Sequence, residues 1–86
     1  MTTQNIEITQ RGWQDLEALG EVTLTQDQVY AMTVRGGSAC EVAVADSKPD
    51  ETFLGHIAKA DETFNFTYNG DTVWVKCGEN AIVVLT

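Results

Sequence analysis

The chain has 86 residues, enough for one domain, and 43% of them are hydrophobic, which excludes a disordered protein. Thirteen acidic residues against five basic ones give a formal net charge of −8. Such a surface repels phosphate backbones and anionic headgroups, so neither nucleic acid nor a membrane is an expected partner.

Residues 1–5 (Met1-Thr2-Thr3-Gln4-Asn5) are polar, lack the basic and apolar segments of a signal peptide, and read as a flexible arm. Residues 6–9 alternate and read as an edge strand. Trp13, Leu16 and Leu19 recur at spacings of three and Gly20 follows, which predicts a short helical turn near residues 13–19 stopped by a C-terminal glycine. Residues 21–25 alternate again and read as strand, before a turn at Gln26-Asp27-Gln28. Residues 29–35 and 39–46 flank Gly36-Gly37-Ser38, which predicts a β-hairpin. A two-residue loop would mix polar and apolar side chains on each face. A three-residue loop sets Val34 against Cys40, Met32 against Val42 and Tyr30 against Val44, leaving Thr33, Glu41, Ala31 and Ala43 on the other face. The segregated register is the expected one, because a one-residue slip flips every side chain.

Pro49 makes residues 47–51 a loop. Residues 53–57 read as a short strand and 58–62 as a turn. Phe64, Phe66 and Tyr68 alternate with Asn65, Thr67 and Asn69, a strand with an aromatic inner face. Asn69-Gly70-Asp71 then turns the chain into residues 72–77, and Gly78-Glu79-Asn80 leads, as a second hairpin, into the final strand. These elements predict an all-β fold: a small antiparallel β-sandwich or barrel of about six to eight short strands in a single domain over residues 1–86.

The final strand, Ala81-Ile82-Val83-Val84-Leu85, is apolar on both faces where a half-buried strand should alternate. A chain this short buries only about 60–65% of its unfolded surface, so covering a second face internally is difficult. Either loop length places Trp74 and a branched residue opposite the face of Val73 and Val75. The spare apolar surface points to a subunit contact through Trp74, Ile82 and Val84, with Trp13 next. A two-layer sandwich that buries both sides is the simplest rival.

No constellation carries chemistry. His56 is the only histidine, and Cys40 and Cys77, 37 apart, occupy apolar-alternating positions without a CxxC spacing. They read as buried free thiols, with a Cys40–Cys77 bridge as the alternative. Two cysteines and one histidine fall short of a zinc site, and Asp50-Glu51, Asp61-Glu62 and Asp71 lie in turns without the spacing of a calcium loop. The expectation is a protein that is not an enzyme and takes no metal or cofactor.

In order along the chain come Trp13 to Leu16, residues 21–25, Val29-Tyr30-Ala31-Met32-Thr33-Val34-Arg35, Ala45-Asp46-Ser47-Lys48-Pro49, Leu54-Gly55 and Thr72-Val73-Trp74-Val75-Lys76 with a glycine turn. This order, over roughly residues 13–86, resembles the small β-domains of tailed-bacteriophage structural proteins, the capsid cement or decoration proteins and tail-associated fibres. The resemblance implies a virion protein, made in the host cytoplasm, that assembles as a homotrimer and stabilises the shell against the major capsid protein. The alternative is a carbohydrate-binding or adhesin module of a tail fibre, using exposed Trp13, Tyr30 or Trp74.

Overall fold

The computed structural model describes residues 2–36, 39–78 and 81–86. Eight strands and one short helix are found among them: β1 (Gln4–Glu7), β2 (Trp13–Asp15), α1 (Leu16–Gly20), β3 (Val29–Arg35), β4 (Cys40–Ala45), β5 (His56–Ala58), β6 (Thr63–Thr67), β7 (Thr72–Lys76) and β8 (Ile82–Leu85). They form two four-stranded antiparallel sheets, the first in the order β1-β8-β3-β6 and the second in the order β2-β7-β4-β5. The fold is the expected all-β sandwich.

Both sheets supply the core by alternation. Tyr30, Met32 and Val34 of β3 and Val83 and Leu85 of β8 face Cys40 and Val42 of β4 and Val73 and Val75 of β7, all of them buried in one cluster. Phe64, Phe66 and Tyr68 pack against that cluster, and the rings of Tyr30 and Phe66 stack with centroids 5.7 Å apart. Burial of this kind contributes roughly 25 cal/mol per Å² of apolar surface.

The two expected hairpins are absent. β3 pairs with β6 and β8, while β4 pairs with β5 and β7. The chain therefore passes from one sheet to the other between β3 and β4, and again between β7 and β8. The residues expected to set the loop geometry, Gly37, Ser38, Glu79 and Asn80, lie outside the described residues. Val44, expected on the apolar face, is 48% exposed.

The cysteines are disulfide-bonded, not free: Cys40 and Cys77 lie 4.3 Å apart at Cα. The β4–β7 register explains it. Glu41 pairs with Lys76, and one step further along the two strands bring Cys40 and Cys77 opposite each other, both facing the core. A close cross-strand pair of this type suits a bridge.

Three other expectations shift. Gln4 and Asn5, read as part of a free arm, pair with Leu85 and Val84 in β1–β8. The helical turn begins at Leu16, because Asp15 accepts hydrogen bonds from the backbone amides of Glu17 (3.0 Å) and Ala18 (3.4 Å) and so caps it; Trp13 belongs to β2. The helix ends through Glu21 in the left-handed region (φ 52°) and not through Gly20. Residues 21–25 are not a strand. The Leu24 amide donates to Glu17 Oε2 (3.1 Å) and the Thr25 amide to Tyr30 Oη (2.7 Å), so side chains satisfy backbone groups that a ladder would otherwise need.

Candidate functional site

β8 does not carry two buried faces. It is an inner strand of the first sheet, with Val83 and Leu85 fully buried, Val84 half-buried and Ile82 38% exposed. On the outer face Ile82 stands between Glu7 and Arg35, and Val84 between Asn5 and Thr33. Polar neighbours on both sides break up the apolar surface.

The four expected contact residues do not share a surface. Ile82 and Val84 lie on the outer face of the first sheet. Trp74, half-buried, lies on the outer face of the second, where its indole Nε1 donates to the Ala45 carbonyl at 3.1 Å. Trp13 is 1% exposed and is corrected to a packing residue. Tyr30, 3% exposed, is likewise closed to a sugar ring.

What covers Trp13 builds the most distinctive surface of the molecule. Across the outer face of the second sheet, Trp13 of β2, Lys76 of β7, Glu41 of β4 and Ile57 of β5 stand in one row. Each of the first three holds a different point of the β4–β5 connection. Trp13 Nε1 donates to the Asp50 carbonyl (3.0 Å), Lys76 Nζ donates to the Glu51 carbonyl (2.9 Å), and Glu41 Oε1 accepts from the Gly55 amide (3.2 Å). The row is also tied within itself. Lys76 Nζ lies 3.2 Å from Glu41 Oε2 and 5.0 Å from the centroid of the Trp13 ring.

Electrostatics follow this geometry. The Gly55 amide, then the Lys76 ammonium, hold the Glu41 carboxyl below its ordinary value. Gly55 is required by space: a Cβ there would stand 2.6 Å from the Val42 carbonyl oxygen and 2.9 Å from Trp13 Cη2. The loop thus lies flat on the sheet, and Phe53 reaches the Trp13 ring at 6.3 Å between centroids.

The fastened loop turns apolar groups outward. On the loop Phe53 is 51% exposed and Leu54 85%; on the flanking strands Ile57 of β5 is 59% exposed and Val44 of β4 48%. Between the loop and β4 runs a groove of about 200 Å³, lined by Val42, Val44, Phe53, Leu54 and His56 among others. The patch borders β5, a three-residue edge strand. Exposed apolar side chains gathered around one groove, here Val44, Phe53 and Leu54, mark contact surfaces. The sequence reading missed this patch because residues 53–57 read as strand, which hides that Leu54 leaves the sheet.

Chemical groups are sparse elsewhere. With both cysteines in the disulfide, neither supplies a thiol to His56. Among the described residues no group of three or more histidine, cysteine, aspartate or glutamate side chains is arranged to hold a metal ion. No helix among them is long and apolar enough to cross a membrane. Comparison with family models, with curated proteins and with solved structures returns no match.

Proposed function

We propose that the chain is a structural module of a tailed-bacteriophage virion, a capsid decoration or cement protein that works as a homo-oligomer, a trimer in the resemblance. Exposed Phe53 and Leu54, held out on a loop fastened at three points, with exposed Val44 of β4 and Ile57 of β5 beside it, carry the reading. The order of elements resembling phage β-domains supports the virion setting.

Magnitudes favour repeated over single contacts. Fully burying a Leu, Ile, Phe or Val side chain contributes roughly 1.5–3 kcal/mol, and these four are already partly covered. Association costs on the order of 4–15 kcal/mol in lost freedom. One patch therefore holds an isolated pair weakly. A closed ring of subunits on a lattice engages several patches at once and gains from effective concentration.

Light scattering over a wide dilution series tests the reading. The wild-type chain is expected to run as a defined oligomer and Leu54→Asp as a monomer with unchanged circular dichroism. A wild-type chain that stays monomeric at every concentration, alone and with phage capsids lacking decoration, overturns it.

A further inference from the structure

On the outer face of the second sheet a shallow groove of about 400 Å³ runs between β2, β7, α1 and Lys48 of the β4–β5 connection. Trp74, Trp13 and Leu19 wall it, and Gln10, Gln14, Asp15 and Lys48 bring polar groups to it. We propose that this groove is a saccharide subsite in which a pyranose ring stacks against Trp74.

Three observations select this ligand class. Trp74 is half-buried and already has its indole N–H bonded to the Ala45 carbonyl, so the ring is oriented before any ligand arrives. A preset aromatic surface suits the C–H face of a sugar, and the ring surrenders little freedom on binding. Second, the polar groups are mixed. Gln10 brings an amide and Lys48 an ammonium. Gln14 and Asp15, which already bond the Arg11 carbonyl and the α1 amides, each keep a further oxygen as acceptor. Such a mixture matches a ligand whose hydroxyls both donate and accept. Lys48 and Gln10 have no side-chain partner among the described residues and stand ready for such hydroxyls. Third, charge excludes the neighbouring classes. One lysine beside Asp15 on a chain of net charge −8 is a poor anion site, and four polar side chains are wasted on a purely apolar ligand.

The groove does not include Phe53, Leu54 or Ile57, so the proposal stands or falls separately from assembly through that patch. Its test is a titration of the intact protein, followed by two-dimensional NMR. The probes are glucose, galactose, N-acetylglucosamine and β-1,4-linked oligomers of glucose and N-acetylglucosamine. The chain has two indole N–H signals, from Trp13 and Trp74, which both line the groove; Trp13 is only 1% exposed, so Trp74 offers the ring face. At least one sugar is expected to move the Trp74 signal in a saturable way, and by more than it moves the signal of the buried Trp13. Trp74→Ala is expected to weaken that binding by about tenfold or more, and Lys48→Ala by less. Lys48 is exposed, so its variant keeps the fold and serves as the check if Trp74→Ala fails to fold. The proposal is overturned if none of the sugars moves the Trp74 signal. It is equally overturned if both variants bind as the parent does, or if Trp74→Glu breaks an oligomer while sugar response is nil, which would make the groove a protein contact.

Discussion

Glu41 and Lys76 face each other across β4 and β7 at 3.2 Å, and each also grips the same loop at a different place, Glu41 at the Gly55 amide and Lys76 at the Glu51 carbonyl. The ion pair is only partly exposed, with about a quarter of each side chain accessible. Exposed pairs of this kind contribute little alone. Here the pair matters through what it positions, a ten-residue connection folded back on the sheet.

Acid should loosen that connection. The folded-state carboxyl of Glu41 titrates below its ordinary value of 4.5, so its contribution to stability is fully present above that value and is lost as pH falls through the lower folded-state value. A carboxyl carbon NMR titration is expected to place the Glu41 midpoint below 4.5. In Lys76→Met the midpoint should move up but stay below the ordinary value, because the Gly55 amide remains. A midpoint in the parent at or above the ordinary value would contradict the arrangement.

Gly55→Ala should destabilise the domain by about 1–3 kcal/mol, since the new Cβ runs into the backbone carbonyl of Val42, which cannot swing aside as a side-chain end can. Leu54→Ala, one residue away and almost fully exposed, should change stability by less than about 0.5 kcal/mol. Equilibrium urea unfolding of the two variants reads the contrast. Equal midpoints would show that the loop does not lie against β4 as described.

The Cys40–Cys77 bridge closes a sequence separation of 37 residues. Its removal in the double Cys40→Ala, Cys77→Ala variant should cost about 2–4 kcal/mol, and thiol titration of the unfolded, unreduced parent should find no free thiol. Two reactive thiols per chain in that titration would rule the bridge out.

The elements themselves were largely legible in the residues, but their partners were not. Alternation identifies the buried side of a strand, and β3, β6 and β7 fall where Tyr30-Met32-Val34, Phe64-Phe66 and Val73-Val75 place them. In a sandwich, however, both sheets present their inner faces to one core. A hairpin between β3 and β4 and a crossover between them bury the same Met32, Val34, Cys40 and Val42. The pattern of burial is blind to that choice, and glycine-rich connections read locally as hairpins. The missed disulfide is the same error seen again, because it depends on β4 lying beside β7. The row of Trp13, Lys76 and Glu41 was illegible for a related reason: its members come from three strands far apart in sequence, and no local spacing links them.

The pairing of β1 with β8 sets Gln4 beside Leu85, and the hydroxyls of Thr3 and Thr86 are 2.9 Å apart. The described chain is therefore nearly a closed circle, with its two ends leaving from one margin of the first sheet. A short peptide joining residue 86 to residue 2 would span almost no distance, and new ends could be opened in an exposed turn such as 69–71 while both sheets keep their order. Cargo fused at either end would emerge at the same place, on the sheet that does not carry the β4–β5 loop.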